Sequence, residues 1–175
     1  MTMDIEARIT RRLLPILNLP LTIARDAGNM KNFQFGTIRD HPSGDGTIGD
    51  YALHIQCPWR IVADGRILTG SADYYEPVVE GEEVNLDDRR SGNLQRKLLG
   101  SLFPTCDART RSQINETTAV IVTAVHADRF GGLDVELSGG FRLQIFPSGS
   151  RGEDWRFFSP RGDDRHFVVE GGRPS

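Results

Sequence analysis

Hydrophobic side chains recur every three or four residues over residues 4–17, which is the periodicity of an amphipathic helix. The repeating positions are Ile5, Ile9, Leu13 and Ile16. Asp4 can cap the start of this helix, and Pro15 should end or kink it because proline lacks a backbone N–H. The remaining surface of the helix is basic, so the helix could lie on a membrane or bind a partner protein. We favour a third interpretation, in which its apolar face docks on a sheet.

The same helical periodicity occurs over residues 93–103, which predicts a second, mid-chain helix that ends before Pro104. Its apolar face consists of Leu94, Leu98, Leu99 and Leu102. Such a face would cover one side or one end of a sheet.

Alternation of apolar and polar residues, the period of a strand, dominates the rest of the chain. Residues 19–24 and 30–35 flank a turn at residues 26–29, whereas residues 36–50 are rich in Gly, Asp and Pro and predict a mobile surface loop. Residues 51–69 predict a hairpin that reverses at Asp64–Gly65. Because Pro58 cannot donate to a ladder, its strand is either an edge or carries a bulge.

The last third of the chain predicts a β-meander over about residues 116–170. Its strands are expected at residues 116–127, 133–138, 141–146, 154–158 and 165–169. The dipeptides Gly131–Gly132 and Gly139–Gly140 mark tight reversals. Apolar and polar residues alternate on either side of the second pair, so one face of the meander should be buried and the other polar.

These elements predict a single α+β domain over residues 1–175, in which antiparallel strands predominate. We expect one curved or barrel-like sheet with the N-terminal helix and the mid-chain helix packed against it. Nineteen glycines and nine prolines agree with many short strands and turns.

Composition narrows the classes of function. The formal net charge of −3 lacks the basic excess expected of a nucleic-acid-binding domain. No apolar run approaches the roughly 18 residues that span a bilayer, and the N-terminal stretch lacks a signal-peptide pattern, so a cytoplasmic location is expected. The cations are almost all arginine, which suits pairing with carboxylates or phosphates but also follows from high-GC codon usage.

A polar row on the predicted 51–69 hairpin is the first candidate site. Period two places His54, Gln56 and Arg60 on one face. If Arg142 and Gln144 come alongside, that face would suit carboxylate or phosphate recognition, although a solvated sheet face explains the same pattern. Phe146 and Phe158 are further candidates, as outward-facing aromatic anchors for a partner.

Catalytic and cofactor chemistry has weaker support. Cys57 and His54 could form a nucleophilic pair only if a bulge at Pro58 re-aims their side chains, and Cys57 otherwise belongs to the apolar set. The four histidines lack metal-ligand spacing, so no metal site or cofactor is predicted. The motif of residues 44–49 matches G-x-G-x-x-G but lacks the helix that would receive a pyrophosphate.

Two stretches resemble a known group of proteins. They are residues 53–61, which contain Cys57–Pro58–Trp59–Arg60, and a C-terminal stretch made of residues 133–147, 153–158 and 166–169, which contains the Gly139–Gly140 turn and Trp155. Together they resemble small bacterial, mainly β domains that have no characterised function, some of them associated with polymorphic-toxin immunity proteins. The resemblance implies a β-rich fold and an immunity-type role, and it brings no catalytic residues.

Three hypotheses of function follow. The first is a non-enzymatic domain that binds another protein, with an immunity-type inhibitor as its most specific form. The second is a small-ligand-binding protein that uses the His54, Gln56 and Arg60 face. The third is an enzyme with Cys57 and His54 chemistry.

Overall fold

The computed structural model describes residues 4–84, 92–162 and 164–175, and it is mainly antiparallel β with two α-helices. Helix α1 spans Ile5–Leu13 and continues as a 3₁₀ turn over Leu14–Ile16, where Pro15 ends the regular helix as predicted. Helix α2 spans Leu94–Leu99. A second 3₁₀ segment covers Ser71–Tyr75.

The two helices cap differently. Asn93 precedes α2, and its side-chain oxygen accepts a hydrogen bond from the Arg96 amide at 3.0 Å. Asp4 occupies the equivalent position of α1, but its side chain makes no capping hydrogen bond. Helix α1 buries Ile9 and Leu13 completely, so its apolar face docks on the protein as we favoured from the sequence.

The prediction of a single sheet was wrong, because the strands of the described residues form two principal sheets, neither closed into a barrel. In chain order, the first strands are β1 (Leu21–Ala27), β2 (Met30–Phe35), β3 (Arg39–Asp40), β4 (Thr47–Ile48), β5 (Tyr51–Ile55), β6 (Trp59–Ala63) and β7 (Arg66–Gly70). The later strands are β8 (Thr105–Asp107), β9 (Ser112–Ile114), β10 (Val122–Ala127), β11 (Leu133–Leu137), β12 (Phe141–Ile145), β13 (Glu153–Phe158), β14 (Phe167–Glu170) and β15 (Arg173–Pro174).

The eight-stranded sheet has the order β15-β14-β13-β5-β2-β1-β9-β8, and the five-stranded sheet has the order β10-β11-β12-β6-β7. Strands β3 and β4 form a small hairpin of their own. Residues 36–50, predicted as a loop, therefore contain strands, and the side chain of Ile48 is buried there. No helix follows the glycines of residues 44–49, in keeping with the missing dinucleotide geometry.

The chain crosses from one sheet to the other at residues 56–58, where the sequence predicted a continuous strand. The amides of Gln56 and Cys57 both donate to the Asp154 carbonyl, at 2.8 and 3.1 Å, while the Pro58 carbonyl accepts from the Phe146 amide at 2.8 Å. Since Pro58 has no N–H to donate, the ladder of β5 ends here and β6 begins in the other sheet.

The predicted C-terminal meander is likewise divided. Strands β10 to β12 belong to the five-stranded sheet, whereas β13 to β15 belong to the eight-stranded sheet. The β11–β12 hairpin does reverse at Gly139–Gly140, where both residues adopt a positive φ of about 80°. Local turns were therefore predicted correctly, and the sheet to which each hairpin belongs was not.

One hydrophobic cluster holds side chains from both sheets and both helices. Phe33 of the eight-stranded sheet meets Trp59 of the five-stranded sheet edge to face, with ring centroids 5.1 Å apart. Phe103, just beyond α2, stacks on Phe33 with ring centroids 6.3 Å apart. Burial of this shared cluster fixes how the two sheets face each other.

A group of charges beside the core ties α2 to the sheet. The Lys31 side chain is 2% exposed and its ammonium donates to Asp26. Arg96 of α2 bonds the other oxygen of Asp26 at 3.2 Å. Burial lowers the pKa of Lys31, and the Asp26 carboxylate opposes that shift.

Candidate functional site

The seven site residues predicted from the sequence divide between the two sheets. On or beside the eight-stranded sheet lie His54, Gln56 and Phe158, and on or beside the five-stranded sheet lie Arg60, Arg142, Gln144 and Phe146. The expected row of His54, Gln56 and Arg60 was wrong, because the crossover at residues 56–58 places its two ends in different sheets. Arg60 does come alongside Gln144, as the sequence analysis considered.

A hydrogen-bonded chain orders the outer face of the five-stranded sheet. Arg60 Nε donates to Gln144 Oε1 at 2.8 Å, and Gln144 Nε2 donates to Asp134 Oδ2 at 3.2 Å. The Arg60 guanidinium carbon lies 4.9 Å from the centre of the Phe146 ring, within cation–π range. Arg60 and Phe146 are therefore held together as one preformed unit.

Arg142 on the same face is committed to internal ion pairs. Its Nε and Nη2 donate to the two carboxylate oxygens of Asp134 at 3.0 and 2.7 Å, and Nη2 also reaches Glu136 at 3.3 Å. The bonds to Asp134 are the main reason why the pKa of Arg142 is raised. Arg142 therefore does not offer a free guanidinium to an external anion.

Two phenylalanines stand exposed at one end of this sheet. Phe146, directly after β12, is 41% exposed, and Phe130, in the turn between β10 and β11, is 70% exposed. Leu133 and Ile145 are register partners, so both phenylalanines leave the sheet at the same end. Phe130 was missed in the sequence because turn residues have no period, although the adjacent Gly131–Gly132 did mark a tight turn.

The eight-stranded sheet carries a separate polar cluster around His54. Arg156 binds Glu153 through Nε at 2.5 Å and through Nη2, and these bonds are the main reason why the pKa of Glu153 is lowered. Arg156 Nη1 lies 3.3 Å from His166 Nδ1, and the His166 ring stacks on Phe158 with centroids 4.2 Å apart. Phe158 is therefore covered on one face by its own chain.

His54 is the unsatisfied member of this cluster. Its Nε2 and the Oδ1 of Asn32, its direct neighbour across the β2–β5 pair, are both buried and have no hydrogen-bond partner among the residues that the structure describes. Burial, reinforced by the positive charge of Arg156, lowers the pKa of His54. His54 is therefore neutral at neutral pH, and its ring contributes no charge for holding an anion.

Cys57 sits in the core, 8% exposed. Burial and the neighbouring Asp154 carboxylate raise the pKa of its thiol to about 12. A thiol with that pKa stays protonated at neutral pH and is a poor nucleophile. The geometry therefore does not support Cys57 and His54 chemistry.

A cleft of about 350 Å³ lies beside α2, between Lys97, Phe103 and Cys106. Its polar lining is partly committed to the fold, since Gln113 Nε2 donates to the Arg96 carbonyl at 2.8 Å. Within residues 4–84, 92–162 and 164–175, no three His, Cys, Asp or Glu side chains are grouped so as to hold a metal ion.

Neither a family model, nor a curated protein, nor a solved structure matches this chain. Among the residues that the structure describes, no helix is long and apolar enough to cross a membrane.

Proposed function

We propose that this chain is a non-enzymatic protein-binding domain that engages its partner through the outer face of the five-stranded sheet, around Phe146 and Arg60. The observation that carries the proposal is the exposed Phe146 ring with the Arg60 guanidinium held over it. Aromatic rings and arginine are the side chains most enriched in the energetic centres of protein interfaces. The exposed Phe130 ring extends this surface at the same end of the sheet.

The surface is ordered before any partner arrives. Gln144 fixes Arg60, and Asp134 fixes Gln144, so neither long side chain needs to lose its rotamer freedom on binding. A preorganised anchor binds more tightly because less conformational entropy is lost. This arrangement supports a binding role more than it supports chemistry.

The resemblance stated from the sequence gives the proposal its most specific form, an immunity-type inhibitor that neutralises a toxin. A partner protein in the cytoplasm belongs to the same proposal. The net charge of −3 argues against a polyanion such as nucleic acid as the partner.

The two rival hypotheses lose support from the geometry. A small-ligand site made of His54, Gln56 and Arg60 would need these side chains together, and the crossover separates them. An enzyme built on Cys57 would need a thiolate. Because the pKa of the Cys57 thiol is about 12, the thiol stays protonated at neutral pH.

Affinity capture tests the proposal. We expect the tagged chain to retain one stoichiometric protein from a lysate of its own host, and Phe146→Ser to lose most of it. Leu14→Ser is the matched control, because Leu14 is similarly exposed, at 47%, but lies at the end of α1. Capture of nothing, or equal loss in both variants, would overturn the proposal.

A further inference from the structure

The cleft beside α2 opens between that helix and the β8–β9 hairpin, at one edge of the eight-stranded sheet. Cys106 of β8 and Gln113 of β9 both line the cleft, and they are direct partners in the β8–β9 register. Direct antiparallel partners point to the same face of a sheet, with their Cβ atoms roughly 5 Å apart. The thiol and the amide group therefore lie side by side in the cleft.

Gln113 is a buried polar side chain with an unused acceptor. The residue is 7% exposed, and its Nε2 donates to the Arg96 carbonyl of α2 at 2.8 Å. Because that bond holds the amide group in the gap between α2 and β9, the Oε1 of the same group lies there too. Among the residues that the structure describes, this Oε1 has no hydrogen-bond partner. A buried acceptor without a donor costs free energy, so a ligand that brings an N–H group is stabilised here.

Cys106 gives the cleft a thiol that a ligand can reach. The residue is exposed and free of any disulfide, and its Sγ lies 3.8 Å from the Asp107 carbonyl oxygen. The other cysteine, Cys57, is buried, and burial raises the pKa of its thiol to about 12. Disulfide exchange requires an accessible thiolate. Cys57 lacks both the access and the thiolate at neutral pH, whereas Cys106 is open to exchange.

The rest of the lining suits a small organic molecule. The cleft has a volume of about 350 Å³, at the lower end of the range of small-molecule pockets, roughly 300–1,000 Å³. Val78, Phe103 and Pro104 give it an apolar wall. A ligand here would be small, partly apolar and equipped with at least one N–H donor.

From the reachable thiol and the unused acceptor we infer that Cys106 is a modification site, at which a small thiol that carries an amide N–H forms a mixed disulfide. The N–H donates to Gln113 Oε1, and the apolar atoms of the modifier pack on Phe103 and Pro104. Such a mixed disulfide is a reversible cap on an exposed cysteine. The site goes beyond the proposed function, because it lies on the other sheet from Phe146.

The modification is a disulfide exchange with the symmetrical disulfide of the small thiol. Cys106 loses its proton to solvent, and its thiolate attacks one sulfur of that disulfide. A bond forms between Sγ and the attacked sulfur while the original S–S bond breaks. The second sulfur leaves with the electron pair as a thiolate and takes up a proton, so one thiol is consumed and one is released.

Two uncharged disulfides test the inference, those of N-acetylcysteine methyl ester and of methyl 3-mercaptopropionate. They differ in the acetamido group, which supplies the N–H, so charges around the cleft do not enter the comparison. Mass spectrometry of the intact chain gives the rate of each adduct, and the synthetic peptide of residues 103–109 gives the intrinsic rates of the same cysteine. We expect the chain to prefer the acetamido reagent roughly fivefold more than the peptide does, as one hydrogen bond of modest strength provides.

Gln113→Leu removes the acceptor and should return this preference to the value of the peptide. Gln95→Leu is the matched control. Gln95 is 2% exposed, its Nε2 donates to the Gly70 carbonyl at 2.9 Å, and its Oε1 likewise has no partner among the described residues, but it lies outside the cleft lining. We expect Gln95→Leu to keep the preference of the unmodified chain.

Four results would overturn the inference: no adduct at Cys106 in a peptide map, an adduct on Cys57 at a comparable rate, equal preference in chain and peptide, or equal loss in Gln113→Leu and Gln95→Leu. The comparison of the unmodified chain with the peptide decides the matter if a variant does not fold. Phe146→Ser should react like the unmodified chain, so this inference and the protein-binding proposal can fail separately.

Discussion

Asp26 binds two cations beside the core. Lys31 is almost completely buried, and Arg96 reaches Asp26 from α2. We expect Asp26→Asn to lower the free energy of unfolding by about 3 kcal/mol, because it leaves both cations without their carboxylate. Urea denaturation measures this loss.

The control for this prediction is Asp40→Asn, which removes an equally charged side chain from an exposed pair with Arg109. Exposed pairs contribute roughly 0–1 kcal/mol, so this variant should unfold near the wild-type midpoint. Equal stability of the two variants would show that the Asp26 cluster does not hold α2 on the sheet.

His54 should make stability depend on pH. Because burial lowers its pKa in the folded state, the unfolded chain takes up the proton first as the pH falls. The resulting contribution to stability is complete above the unfolded pKa of about 6.5 and is lost as the pH falls towards the folded value. We expect His54→Gln to flatten this part of the curve of unfolding free energy against pH, measured by urea titrations.

A His54→Gln profile with the full wild-type slope would refute the assignment of this slope to His54.

Among the elements, the short helix α2 depends most visibly on one cap. Asn93 is 6% exposed and accepts the Arg96 amide bond. We expect Asn93→Ala to cost about 1 kcal/mol of unfolding free energy, as loss of an N-cap usually does. Asp4→Ala, at a cap position without a side-chain bond, should cost much less in the same thermal or urea assay. The prediction fails if the two substitutions cost the same.

Helices and turns that depend on the spacing of neighbouring residues could be predicted from the sequence. The assignment of the strands to two sheets could not. Both helices, the Asp64–Gly65 hairpin and the Gly139–Gly140 turn follow from neighbouring residues alone. The crossover at residues 56–58 does not, because apolar and polar residues alternate through it without interruption. Pro58 indicates an irregularity in this strand, but the change of sheet is set by partners distant in the chain, the Asp154 carbonyl and the Phe146 amide.

The candidate surface was predictable to a similar extent. Phe146 and the pairing of Arg60 with Gln144 follow from strand alternation, which assigns outward-facing positions. Phe130 has no such signal, because it lies in a turn, where exposed positions have no period. The adjacent Gly131–Gly132 indicated a tight turn, but not that this turn packs on the Gly171–Gly172 turn.

At the scale of the whole molecule, the shared core predicts that both sheets unfold together. Trp59 belongs to the five-stranded sheet and Trp155 to the eight-stranded sheet, so each tryptophan reports on one sheet. In Trp59→Phe and in Trp155→Phe, we expect the fluorescence midpoint in urea to coincide with the far-UV circular dichroism midpoint. Separate midpoints would show that the sheets are independent units.

The central claim is that the chain binds a protein through Phe146, Arg60 and the adjoining Phe130. Hydrogen–deuterium exchange of the chain, alone and in complex with the captured partner, tests it most directly. We predict slower exchange at residues 128–132 and 144–147 in the complex, with no change at the opposite end of the β6–β7 hairpin, residues 64–67. Protection confined to other segments, or no stoichiometric complex to measure, would contradict the claim.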